Sequence, residues 1–259
     1  MLELKNISVG YVGKDVLPHV NHSFEPGMIH TIIGKNGCGK STLLKCCAGL
    51  LPPNTGTVLL HGKDLSRYPS EERAQNLSYL SQDRNTPNIT VERLLAHSRF
   101  PHLTYPKKLR SEDREIIYRA LLAMQAEQFA SRSLRELSGG ERQRVYLAMQ
   151  LAQDTPILLL DEPTTYLDIE YQLQLMEVLM GLKKEGKTII MVLHDLQQAI
   201  RYSDRLIAVH ADKKITSGTP EVILENGTLR EIFHVNVQRS EYYFELDQPP
   251  QKIRKQFRS

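Results

Sequence analysis

The stretch Gly34-Lys35-Asn36-Gly37-Cys38-Gly39-Lys40-Ser41-Thr42 specifies a chemistry more narrowly than any other part of this chain. Its glycines let backbone N–H groups turn inward around an anion, and the apolar run from Leu43 sets a helix N-terminus, with its partial positive charge, at the same point. The pattern G-x-x-x-x-G-K-[ST] after an apolar strand is the fingerprint of a loop that cradles nucleotide phosphates. In such a loop Lys40 reaches the β and γ phosphates, and Ser41 offers its hydroxyl to Mg²⁺.

A second set of groups completes a hydrolytic site. Ile157-Leu158-Leu159-Leu160-Asp161-Glu162 reads as a buried strand ending in two carboxylates. Asp161 is placed to organise the Mg²⁺ shell and Glu162 to polarise an attacking water. Solvated acids capping a strand are the plainer reading, and it weakens beside a phosphate loop. His194 follows the apolar strand Thr188 to Leu193, and Gln82 follows Leu77 to Ser81, so both emerge at strand ends, where open α/β sheets place their ligands. On position alone His194 fits a structural role equally well, and Gln82 carries little meaning. Ser138-Gly139-Gly140-Glu141 reads as a serine N-cap with two glycines opening an amphipathic helix, a second helix N-terminus suited to an anion. If it stands apart from the first loop, two copies head to tail about a two-fold axis complete both half-sites.

These groups need a scaffold of strands joined by helices. Short β-branched runs at Met28–Ile33, Ile157–Leu160, Thr188–Leu193 and Leu206–Val209 alternate with longer amphipathic stretches, which predicts an α/β fold around a mainly parallel sheet. From about 87 to 155 the strand signal gives way to helical patterning, with Ser111-Glu112-Asp113 acidic at a helix start, so a helical lobe is inserted there. The chain of 259 residues, 41% hydrophobic and 24% charged, suits one domain over 1–247. Residues 248–259 read as a basic, disordered tail after Pro249-Pro250, and Val235 to Leu246 is too brief for a domain. The net charge of +3 sits in that tail: without Lys252, Arg254, Lys255 and Arg258, 29 basic residues face 30 acidic ones, a poor basis for binding nucleic acid. No run approaches the ~18 apolar residues of a membrane span, and Met1 to Lys5 does not resemble a secretory leader, so a cytoplasmic protein acting at a membrane through a partner is expected. Cys38, Cys46 and Cys47 suit free thiols in a reducing compartment. Cys38 has two open readings: a reactive thiolate favoured by Lys40 and the helix N-terminus, or a small residue turned inert into the core.

In this order the elements closely resemble the ATP-binding-cassette ATPases, from Leu2 to about Val237. Gly34 to Ser41 is similar to their Walker A, Ile157 to Asp161 to Walker B, and Leu137 to Gln143 to the family signature. Gln82, Asp168 and His194 match the Q-loop, D-loop and switch histidine, and Tyr11 falls where an aromatic ring stacks on adenine. The resemblance implies a phosphate-loop NTPase core with an N-terminal antiparallel β region. It also implies ATP sandwiched between Gly34, Asn36, Gly37, Cys38, Gly39, Lys40, Ser41 and Thr42 of one subunit and Ser138, Gly139 and Gly140 of the other. Glu162 would then act as base with His194 and Gln82 in the catalytic set, and Ser41, Gln82 and Asp161 would hold Mg²⁺. Implied partners are membrane permease subunits, a second ATPase subunit and, indirectly, an extracytoplasmic binding protein, at the cytoplasmic face of the membrane.

Arg99-Phe100-Pro101-His102, Leu109-Arg110-Ser111-Glu112-Asp113-Arg114 and Glu162-Pro163-Thr164-Thr165-Tyr166-Leu167-Asp168 resemble the subfamily that serves importers of iron siderophores, heme and cobalamin. Iron siderophores are the expected cargo. Heme or cobalamin import, and a soluble cassette of the iron-sulfur assembly type, are the alternatives. Three departures stand out: Cys38 where serine is usual, Met149 in place of an arginine that contacts the lobe, and Lys213 after Asp212 where glycine usually turns a hairpin, which suggests a different turn there.

Overall fold

A computed structural model describes residues 1–11, 14–82 and 86–235. The basic tail and most of the stretch before it lie outside the described residues. Two long strands, β1 (Leu2–Tyr11) and β2 (Lys14–Phe24), pair antiparallel and are followed by β3 (Ile29–Gly34), α1 (Lys40–Cys47), β4 (Thr55–Leu60) and β5 (Lys63–Asp64). Next come α2 (Ser70–Asn76) and β6 (Leu77–Leu80), and then the helical section, α3 (Val91–Ser98), α4 (Ser111–Ala123) and α5 (Gly139–Gln153). The chain then runs through β7 (Ile157–Asp161), α6 (Ile169–Lys184), β8 (Thr188–Val192), α7 (Leu196–Tyr202), β9 (Arg205–Val209) and β10 (Ile215–Gly218), and closes with α8 (Pro220–Glu225) and α9 (Thr228–Phe233).

The strands form two sheets: an antiparallel one in the order β2-β1-β4-β5, and one in the order β10-β9-β3-β8-β7-β6 that is parallel except for β10. Side chains alternate across a strand, so each parallel strand feeds two cores. Ile157, Leu159, Ile190, Val192, Ile207 and Val209 face α1 and the antiparallel sheet. Leu158, Leu160, Ile189, Met191, Leu206 and Ala208 face the core shared with α5 and α6. Burial on both faces explains why these strands read as continuous apolar runs rather than alternating ones.

The helices of this section share one apolar core, and residues of the subfamily-like motifs add polar links between them. Arg99 Nε donates to Asp113 Oδ1 at 3.0 Å, and both side chains are only 8% exposed. The other carboxylate oxygen accepts from the backbone N of Arg110 at 3.0 Å and so caps α4. Arg99 Nη1 also reaches the carbonyl of Ala152 at 2.9 Å, and His102 Nε2 lies 2.8 Å from that of Gln153. These groups satisfy the last turn of α5, where carbonyls lack helical partners and a cation is favoured. Asp113→Ala leaves the buried guanidinium unpaired and is expected to lower the unfolding free energy by about 3–5 kcal/mol. Urea unfolding checks this, and a loss under ~1 kcal/mol contradicts it.

The β9–β10 hairpin corrects one expectation. Lys213 does not impose a different turn: it takes φ +72°, the left-handed conformation that glycine favours, with Lys213 N donating to His210 O at 3.1 Å and His210 N to Lys214 O at 2.9 Å. Asp212 Oδ1 supports the strained residue by accepting from Lys214 N at 3.2 Å. Met149, in place of the arginine, packs partly buried against the helical core.

Candidate functional site

The strand order β3-β8-β7-β6 places the carboxyl ends of four parallel neighbours side by side. Each end carries one chemical element: the glycine loop after β3, His194 after β8, Asp161 and Glu162 at β7, and Gln82 after β6.

In the loop, Gly39 is the N-cap of α1 with φ +113°, and a Cβ there would meet Val16 Cγ1 at 2.8 Å and Leu17 Cγ at 2.9 Å. A Cβ on Gly34 would meet Val209 O at 2.7 Å. Both glycines therefore answer to conformation and space together. Lys40 is buried, and its ammonium donates to the carbonyls of Gly34 at 2.9 Å and Lys35 at 3.0 Å, which holds the cation inside the curve of the loop. Asn36 and Gly37 lie at its exposed crest, and Thr42 is buried in α1.

Cys38 is settled by its surroundings. It is buried in the core beneath the loop, with Sγ 2.8 Å from where a Gly34 Cβ would lie, so the reading as an exposed thiolate is set aside. Burial pushes the Cys46 thiol up to about 12 and the Cys47 thiol well above its usual range. All three cysteines should resist a thiol reagent in the folded protein and react once it is denatured. Intact mass after iodoacetamide treatment reads this, and rapid labelling of the native chain at Cys38 contradicts it.

Ser41 Oγ donates to Asp161 Oδ1 at 2.9 Å, and the Tyr79 hydroxyl donates to Asp161 Oδ2 at 3.3 Å. Burial raises the carboxyl's pKa, and the Ser41 hydrogen bond opposes that rise. Tyr79 was not singled out in the sequence, because an aromatic residue in a strand reads as core. Its own titration is pushed up by burial and by the Asp161 charge.

One residue further, Glu162 adopts φ +50°, a strained conformation for a non-glycine residue. Its Oε1 lies 2.5 Å from His194 Nε2, and its Oε2 accepts from Gln82 Nε2 at 2.8 Å and from Thr165 Oγ1 at 3.4 Å. The Glu162 side chain is 11% exposed and that of His194 46% exposed, so the carboxylate sits at the floor and the imidazole at the rim. Gln82 and His194 thus converge on Glu162, and the sequence-derived set of three forms one hydrogen-bonded group.

The second phosphate-suited element lies on the helical section. Ser138 caps the 15-residue α5 with a reciprocal box: its Oγ accepts from Glu141 N at 3.3 Å, and its N donates to Glu141 Oε2 at 2.7 Å. These bonds hold the Glu141 carboxyl below its usual range. Ser138 and Gly139 are exposed, and a Cβ on Gly140 would stand 3.0 Å from the carbonyl of Tyr166. Gln143 Nε2 donates to Pro163 O at 2.6 Å, which ties this helix to the segment leaving Glu162. Asp168 opens α6 without capping it, and its side chain is exposed. Tyr11 ends β1 with 54% of its surface exposed.

The ABC transporter family model matches residues 17–165. The chain belongs to that family. Among curated relatives, this cassette is 39% identical over 239 residues to the iron(3+)-hydroxamate import ATP-binding protein FhuC of Bacillus subtilis (strain 168), which covers 92% of the chain and 89% of the relative. It is 41% identical over 231 residues to the ferric enterobactin transport ATP-binding protein FepC of Escherichia coli (strain K12), covering 88% and 85%. Among solved structures, it superposes with a TM-score of 0.75 and 27% identity on a dimeric cassette in a post-hydrolysis state bound to ADP and Pi, covering 85% of this chain and 99% of that one.

Proposed function

We propose that this cassette binds and hydrolyses ATP as the motor subunit of a membrane importer for iron-siderophore complexes. The observation that carries the hydrolytic part is Glu162, gripped by His194 and Gln82 one residue after an aspartate bonded to the loop serine. Lys40 and the inward amides of the loop bind phosphate oxygens. Glu162 takes a proton from the attacking water while His194 fixes the carboxylate's orientation, and the buried floor of the site strengthens both effects. Gln82 Nε2 donates to Glu162, so the amide's own oxygen, an acceptor, is not used in that bond.

The hydroxyl of Ser41 and the carboxylate of Asp161, 2.9 Å apart, are hard oxygen donors that fit Mg²⁺. Among the described residues no cluster of three or more His, Cys, Asp or Glu is placed to hold a metal. Two such donors suit Mg²⁺, which keeps waters and substrate phosphates in the rest of its shell. When bound it neutralises charge on the phosphates.

Ser138, Gly139 and Gly140 open α5 on the helical section, a second helix N-terminus besides that of α1, which supports a site completed by the signature of a second copy of the chain. Among the described residues no helix is long and apolar enough to cross a membrane. The relatives' names as import and transport ATP-binding proteins support separate permease subunits as partners, with this chain at their cytoplasmic face. An extracytoplasmic binding protein would deliver cargo to that permease. The cargo follows from the relatives, whose names specify ferric hydroxamate and ferric enterobactin transport. Cells lacking this chain should lose uptake of radioactive iron presented as a siderophore complex and regain it with the parent gene but not with Glu162→Gln. Undiminished iron uptake with loss of heme or cobalamin uptake would overturn the cargo.

A further inference from the structure

Two glutamines that belong to none of the recognised motifs join the two segments flanking Glu162. Gln198 Nε2, from α7, donates to Gln172 Oε1, from α6, at 2.7 Å. Gln172 Nε2 in turn donates to the carbonyl of Leu167 at 2.9 Å and, at the limit of bonding distance, to that of Thr164 at 3.5 Å. The backbone N of Gln198 donates to Asp195 Oδ1 at 3.2 Å, and Asp195 is the N-cap of α7 and the neighbour of His194.

Taken with His194 on Glu162 at 2.5 Å, these bonds close a ring. It runs from Glu162 through the turn Thr164–Leu167, across Gln172 and Gln198 to the start of α7, and back through His194. We propose that Gln172 and Gln198 are positioning residues for hydrolysis, fixing the turn after Glu162 against the strap that carries His194. The inference rests on the roles proposed above for Glu162 and His194.

Two further observations favour an oriented link over incidental packing. Gln198 is buried, and its Oε1 has no hydrogen-bond partner among the described residues, so the amide is turned to serve Gln172 although its own acceptor goes unmatched. The turn it holds is under conformational tension: Glu162 and Tyr166 both have positive φ, +50° and +68°. Tyr166 is 74% exposed; the turn is shaped by Thr165 N donating to Glu162 O and Leu167 N to Thr164 O, both at 3.2 Å, and is tied to α5 by Gln143, while Gln172 adds its link to α7 through Gln198. Because the amides act in series, either one alone should be useless without the other.

The test uses the purified full-length chain with Gln172→Met, Gln198→Met and the double variant, all close to the parent in volume. Gln174→Met is the structural control: that glutamine lies on the same helix, and its amide serves Ala123 O at 2.8 Å, away from the ring. For each single variant kcat should fall about tenfold, with KM for ATP within about twofold of the parent, because misplacement at the reacting end costs rate rather than binding. The double variant should be no slower than the singles, and Gln174→Met should keep its kcat. The proposal is overturned if the singles retain kcat, if their losses multiply in the double, or if Gln174→Met is equally slow. Glu162→Gln in the same assay separates the two readings: a fully active Glu162→Gln removes the hydrolytic assignment, whereas an inactive one beside normal glutamine variants removes only the relay.

Discussion

Glu162→Gln should bind ATP as the parent does and turn it over about a hundredfold more slowly or worse. The substitution keeps the side chain's length and both of its main contacts, since an amide can still accept from Gln82 Nε2 and pair with His194, now 2.8 and 2.5 Å from the carboxylate. Fold and nucleotide affinity are thereby preserved. What disappears is the basic oxygen pair at the floor of the site, and a hundredfold loss corresponds to about 2.7 kcal/mol of transition-state stabilisation. Phosphate release and equilibrium nucleotide binding, measured on the same preparation, decide the matter. A near-parental rate would remove Glu162 from the chemistry, and loss of binding would make it a structural residue.

The second large effect concerns assembly. In the Glu162→Gln background, MgATP should drive dimerisation more strongly than MgADP, and Ser138→Arg should abolish the difference. Ser138 is exposed at the start of α5, where an arginine would fill the space that an anion approaches. The same change removes a helix cap, which costs about 1 kcal/mol. Ser138→Ala, which loses the cap without adding bulk, is the control: it should show the same drop in stability and still dimerise. Light scattering across protein concentration reads both variants. Nucleotide-independent monomers throughout would contradict a two-chain site, as would an unchanged dimer in Ser138→Arg.

The elements most legible in the sequence are those whose chemistry is local. The loop Gly34 to Thr42 needs only the strand before it and the helix after it, and the Ser138 N-cap acts within one helical turn, so both could be read from a short window. The alternation of strands and helices likewise reported the parallel sheet, because burial on both faces writes continuous apolar runs. What resisted reading depends on residues distant in sequence. Gln82 and His194 each looked ordinary alone, and they acquire a shared partner only because β6, β7 and β8 are neighbours in the sheet. Tyr79 is half-hidden for the same reason, since its hydroxyl finds Asp161 across 82 positions. The state of Cys38 turns on packing beneath the loop rather than on the charges beside it in sequence. Lys213 misled because its side chain argues against the left-handed turn that the hairpin adopts.

The central claim, that hydrolysis at Glu162 powers uptake, is tested most directly in proteoliposomes that hold this chain with its permease, by following phosphate release and iron-siderophore accumulation in the same vesicles. With MgATP supplied to the side that carries the chain and the binding protein loaded with cargo on the other, both rates should be present in the parent and fall together in Glu162→Gln. Accumulation that persists in Glu162→Gln vesicles while their phosphate release is abolished would contradict the account.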